Sequence, residues 1–236
     1  MAPARSLDNT VRLTDTCVNN FPFSAIEASF CDMTAMTRTD TSQAEAFLEA
    51  AYARLIEGGV DAVKVAPLAE ALTLTRTAFY WHFKDRESLL EALLARWEAK
   101  NTGNLIAQAE AFAETINEAI LNLFDAWLLP DIFDARFDFA IRNWALSDAA
   151  VKAKVQANDA LRIDALTAMF ARFGYDALAA ETRARAIYYT QIGYISMMVV
   201  ETRAVRLQRM PSYVETYSGR ALKEAEWTRF LARHST

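Results

Sequence analysis

From Ser42 onwards, apolar residues recur at helical spacing. Phe47, Leu48, Ala51, Tyr52, Leu55 and Ile56 fall on one stripe of a helix. The run Ser42-Gln43-Ala44-Glu45 reads as a capping box that opens it, and Gly58-Gly59 closes it. A second helix is predicted from Val65 to Leu72, with Pro67 in its first turn and Leu68, Ala69 and Leu72 facing inward. Thr73-Leu74 leaves room for a tight turn only. Thr75 then caps a third helix, from Arg76 to Phe83. Its Phe79 and Phe83 lie four apart and pack inward. Arg76, Thr77 and Tyr80 fall on the other side.

The helical pattern continues to the end of the chain. Leu89, Leu90, Leu93, Leu94 and Trp97 form a stripe on a fourth helix, with Gly103 as a bend. Thr115 to Glu118 is a second capping box, and Pro130 closes the helix it opens. Asp131 to Leu146 is the next helix. Ser147 and Asp148 cap another, whose core face includes Val151, Val155, Leu166 and Phe170 and which ends at Gly174. A single helix is predicted from about Leu178 into the 200s, and a last one from Arg220 to Arg233. No segment alternates as a strand does. The expected fold is all-α: a three-helix helix-turn-helix domain over 42–97, then a dimerising, ligand-binding helical bundle over 98–236. Residues 1–35 have no period, and 1–41 are expected to be a disordered extension, with Met33 or Met36 an alternative start.

Composition narrows the class. Hydrophobic residues make up 53% of the 236, enough for a sizeable core, while 6 Gly and 5 Pro are few for an all-β chain. No charge-free apolar stretch is long enough to span a membrane, and the first residues lack the apolar core of a secretory signal. With Cys17 and Cys31 the only cysteines, a reduced, cytoplasmic protein is expected. The net charge of −5 speaks against a globally basic nucleic-acid binder. Between Thr75 and Arg86, however, Arg76, Lys84 and Arg86 face Asp85 alone, and a small positive patch suffices for a few phosphates.

Two short helices joined by a tight turn, behind a first helix, form a helix-turn-helix, whose last helix enters the DNA major groove. The outward face would carry Thr75, Arg76, Thr77, Tyr80 and Trp81. Arginine donates to a guanine edge in two bonds, a threonine methyl touches the thymine methyl, and Tyr80 and Lys84 reach backbone phosphates. Tyr80 and Trp81 have a second reading as core aromatics, but a helix this short cannot bury every side. His82 reads as a structural or phosphate-contacting residue. No second ligand lies at metal-binding spacing, so neither metal nor cofactor is expected. Glycine-rich phosphate loops and nucleophile elbows are absent, so no catalytic residues are assigned. Asp131, Asp134 and Asp138 read as a solvated helix face.

The stretch from Ala46 to Leu94 resembles the N-terminal domain of the TetR family of bacterial repressors. The likeness lies in Gly58-Gly59, Leu68-Ala69, Thr75-Arg76, the aromatic run from Phe79 to Phe83, and the entry from Lys84 to Leu90. Departures are Thr73 and Thr77 where glycine is usual, Ala66 where a polar residue is common, and Arg86 for lysine. The segment from Ala140 through Val155 to Tyr175 is similar to the family's effector-binding, dimerising domain. The resemblance implies a homodimeric repressor of double-stranded operator DNA, released by a small molecule. Dimerisation is expected through helices near 151–173 and 180–203, with Ala184, Ala186, Gly193 and Ser196 allowing close approach. For an apolar effector pocket, the candidates are Phe133, Phe137, Trp144, Met169, Tyr188 and Tyr189, with Arg142, Asn143 or Gln191 as polar anchors. A DNA-binding regulator without an effector and a helical enzyme are the alternatives.

Overall fold

The computed structural model describes residues 27–234, with side chains from Ser42 onwards. Every regular element among the described residues is helical. Helix α1 (Glu27–Gly58) ends before Gly59, whose φ of 73° suits a residue without Cβ. A single 3₁₀ turn (Val60–Ala62) leads to α2 (Val65–Ala71) and α3 (Arg76–His82). Helix α1 is already helical at Ser42, so the capping box expected there lies inside it and opens nothing. The expectations for residues 1–26 lie outside the described residues.

Thr73 supplies the turn between α2 and α3 with a φ of 57°, the left-handed conformation that glycine usually provides. Thr75 caps α3, its Oγ1 accepting from the Ala78 amide at 3.1 Å. Asp85 and Ser88 form a capping box at the start of α4 (Arg86–Trp97). Arg86 is not a free surface charge. Its guanidinium donates to the carbonyls of Val63 at 2.6 Å and Val60 at 2.7 Å, clamping the α1–α2 connection to the base of α4.

After Trp97 the backbone widens into a π-helical segment, Glu98–Gly103, before α5 (Asn104–Glu110). The bend expected at Gly103 is thus six residues of altered helix. It turns both Asn101 and Thr102 inward, where they are buried. The remaining helices are α6 (Ile116–Leu128), α7 (Ala135–Trp144), α8 (Ala149–Arg172), α9 (Ala177–Ser196), α10 (Arg203–Ser218) and α11 (Glu224–Arg233). The single helix expected from Leu178 into the 200s is two. Helix α9 stops at Ser196, Met198 takes a φ of 51°, and Thr202 caps α10. Helix α7 starts at Ala135 under an Asp134 cap, not at Asp131.

Two apolar clusters hold the helices. One joins α6, α8, α9, α10 and α11 around Leu166, Phe170, Ile187 and Phe230. The other surrounds Phe47, Phe79 and Leu89 in the helix-turn-helix. It continues without interruption into Phe137, Ile141 and Trp144 of α7 and Val151 and Val155 of α8. The helix-turn-helix is therefore seated on α7 and α8 by shared core, which ties its orientation to the helical bundle.

Candidate functional site

The third helix separates an anchored face from a bare one. Phe79 is completely buried, edge-on to Phe47 with ring centroids 5.3 Å apart and stacked on Phe83 at 5.5 Å. Thr75, Arg76, Thr77 and Lys84 are exposed, and so are Tyr80 at 58% and Trp81 at 81%. Arg76 and Lys84 make no ion pair among the described residues. Of the nearby carboxylates, Asp85 is turned onto the Ser88 amide at 2.8 Å, where it complements the helix dipole, and Glu87 lies 3.6 Å from Arg86. The face is thus cationic, aromatic and rich in unengaged donors. His82 stands apart from it: half-buried, with Nε2 3.5 Å from the Gln43 side chain of α1.

A second feature is a cavity of about 370 Å³ among α1, α6, α7, α9, α10 and the loops that precede α7 and α10. That volume is within the range of small-molecule sites. Of the nine effector residues expected from the sequence, Phe133 and Gln191 line it. Phe137 and Trp144 instead belong to the core shared with the helix-turn-helix, and Met169 to the other cluster. Asn143 is exposed, and Tyr189 is 55% exposed with its hydroxyl on Arg185 at 2.8 Å. The lining residues missed include Trp127, Arg136, Phe139, Tyr194 and Arg206. One signal was available: Tyr194 follows Gln191 by three positions, on the same face of α9.

Arg142 and Tyr188 belong to a buried polar network. At its centre Asp138 has no exposure and accepts from Trp97 Nε1 at 2.9 Å, Arg162 Nη1 at 3.0 Å and Arg142 Nε at 2.7 Å. Arg162, also fully buried, donates to Thr102 at 2.9 Å and to the Tyr188 hydroxyl at 3.1 Å. Arg142 grips Asp159 with two bonds, at 3.0 and 2.6 Å. Burial alone would raise the Asp138 carboxyl, but the guanidiniums of Arg162 and Arg142 outweigh it and hold it below the usual carboxylate range. The expected solvated face of Asp131, Asp134 and Asp138 is therefore overturned. Asp131 is exposed ahead of the helix, Asp134 is its buried cap, and Asp138 is the anion that makes the buried Arg162 and the half-buried Arg142 tolerable.

The network also links the two candidate sites. The Arg162 guanidinium lies 5.5 Å from the ring of Phe133, a cavity wall, and 5.0 Å from that of Trp97, the last residue of α4. Ile56, from the last turns of α1, lines the cavity directly. Of the small residues expected at a dimer face, Ala186 and Ser196 are exposed and Gly193 is half-buried. Ala184 is consumed by the chain's own core. Leu161 on α8 and Leu178 on α9 are 53% and 75% exposed. No helix among the described residues is long and apolar enough to cross a membrane.

Comparison with known proteins agrees with this geometry. Residues 47–93 match the family model for bacterial regulatory proteins of the tetR family. Over 68 residues the chain is 35% identical to the tetracycline repressor protein class A from transposon 1721 of Escherichia coli. That stretch is 29% of this chain and 32% of the relative, so the likeness spans about a third of that protein. Two solved structures share the fold. A TetR transcriptional regulator from Legionella pneumophila superposes with a TM-score of 0.53 at 17% identity, over 80% of this chain and 95% of that one. A Mesorhizobium loti MAFF303099 protein assigned to the TetR family of transcriptional regulators does so with a TM-score of 0.53 at 15% identity, over 82% and 97%. The helix-turn-helix segment is thus similar to that of the TetR family of bacterial transcriptional regulators, and the all-helical fold is the one those two solved structures share.

Proposed function

We propose that this chain is a sequence-specific DNA-binding repressor that acts in the cytoplasm as a homodimer. The observation that carries the reading is the bare face of α3. Two large aromatics and two cations, Arg76 and Lys84, without an ion pair among the described residues stand in solvent on and just after a helix whose opposite side is locked by Phe79. Exposing Tyr80 and Trp81 together forfeits burial and gains nothing within the chain, whereas a major groove admits one such helix. Arg76 reads a base edge, Thr75 and Thr77 supply methyl and hydroxyl contacts, and Tyr80, Trp81 and Lys84 flank the phosphates. His82 supports them from behind by its contact with α1.

A single short helix gives too few contacts for useful specificity, so two copies must present α3 about one DNA turn, roughly 34 Å, apart. The exposed Leu161 and Leu178, with the small residues of α9, supply the self-complementary apolar face on α8 and α9. The cavity receives an effector. Because Ile56 and Phe133 line it and Arg162 carries the contact on to Trp97, a ligand that favours one arrangement of these groups shifts α4 and the spacing of the reading helices.

The test is fluorescence anisotropy on a DNA fragment selected by the full chain. Arg76→Ala loses about 1–3 kcal/mol of operator affinity and relaxes specificity at one position. Lys84→Ala weakens all sequences alike and flattens the salt dependence by about one unit of slope. Unchanged affinity in Arg76→Ala, Tyr80→Ala and Lys84→Ala together refutes the assignment.

A further inference from the structure

The cavity walls carry more chemistry than an apolar pocket needs. Two arginines line it, Arg136 of α7 and Arg206 of α10, and neither forms an ion pair among the described residues. Arg206 spends one nitrogen on the Trp127 carbonyl, at 3.1 Å. Arg136 makes no hydrogen bond among the described residues and keeps all its donors. The one carboxylate of the lining, Glu201, is already taken by Arg209. The rim of the cavity therefore carries positive charge, with Arg136 exposed to solvent and Arg206 half-buried.

Two further donors point the same way. Trp127 is 8% exposed, lines the cavity, and its Nε1 has no hydrogen-bond partner. The Gln191 side chain, equally buried, forms no hydrogen bond among the described residues. A buried donor without a partner, such as Trp127 Nε1, is uncommon in folded proteins and costly unless something accepts from it. The rest of the wall is aromatic, with Phe133, Phe139 and Tyr194 alongside the Trp127 indole.

We propose that the cavity binds an aryl or arylalkyl carboxylate, its ring against the aromatic wall and its anion drawn by Arg136 and Arg206. Trp127 and Gln191 donate to its oxygen atoms. This deepens the effector reading and rests on it only for regulation, since binding is measured without DNA. Arg142, the anchor read from the sequence, is excluded from this role because Asp138 and Asp159 saturate it. The carboxylate specificity comes from arginines on α7 and α10 instead.

The experiment is isothermal titration of the full chain with 2-naphthoate and 4-phenylbutyrate, each compared with its carboxamide. The carboxylates bind at least about tenfold more tightly than the amides, the effect of one charge-assisted hydrogen bond. Arg136→Gln and Arg206→Gln each lower that preference, and unchanged circular dichroism and thermal unfolding show that the fold is intact. No binding by either carboxylate, equal affinity for acid and amide, or a preference that survives both substitutions overturns the proposal. Adding the same carboxylates to the DNA complex separates the two claims. Binding with charge preference but no release of DNA leaves the ligand class standing and removes its regulatory role.

Discussion

Replacing Asp138 with asparagine probes the network under both candidate sites. The substitution keeps the shape and removes one charge. It leaves Arg162, with no exposed surface, without its counter-ion, while Arg142 retains Asp159. Four donors now converge on Asp138, from Trp97, Asn101, Arg142 and Arg162, and an amide placed there turns its own NH₂ toward some of them. Removing one partner of a buried pair costs about 3–5 kcal/mol, mainly for the stranded charge. At about 2–4 °C per kcal/mol for a chain of this size, that is a fall in Tm of roughly 6–20 °C. Paired urea and thermal unfolding at one protein concentration measure it, because dimerisation makes stability concentration-dependent. Adding Arg162→Met to Asp138→Asn removes the stranded charge, and the double variant is more stable than Asp138→Asn alone. A loss under about 1 kcal/mol, or a double variant in which the two losses simply add, refutes the reasoning.

Acid narrows the gap between the wild type and Asp138→Asn. The folded carboxyl titrates below its unfolded value of about 4, so its contribution is complete above that pH and fades as pH falls through the lower folded value. A gap that widens in acid, in urea titrations stepped downward from pH 6, contradicts this. Thr73→Gly stabilises the chain by about 1 kcal/mol, because the left-handed turn costs a residue with Cβ that much, and urea midpoints read the gain. Phe79→Ala, by contrast, removes a fully buried ring and costs about 3–5 kcal/mol, measured the same way.

What was legible in the sequence was whatever depends on neighbours along the chain. The stripe of α1, the Thr75 cap, the division of α3 into Phe79 and Tyr80 faces, and the tight turn at Thr73-Leu74 are all local. What escaped depends on burial imposed from elsewhere. Asp138 looks like part of an acidic run until Trp97 of α4 and Arg162 of α8 join Arg142 of its own helix to surround it. The break after Ser196 carries neither glycine nor proline. It is made by Met198 in a conformation its sequence does not announce. The aromatic candidates for the cavity were chosen by size, and size alone cannot separate Phe137, a core residue, from Phe133, a cavity wall. Arg86 was read by charge, whereas its work is to hold two carbonyls.

The central claim is that α3 reads a specific DNA sequence twice, once from each copy. The most direct measurement is to incubate the full chain with sheared DNA of its own genome, recover the retained fragments and sequence them. Retention by Arg76→Ala and Tyr80→Ala is compared in parallel. The account predicts fragments sharing an inverted repeat whose half-sites lie about one helical turn, or a whole number of turns, apart, enriched by the wild type and lost in both variants. Fragments with no common sequence, or the same repeat recovered equally by both variants, would contradict it.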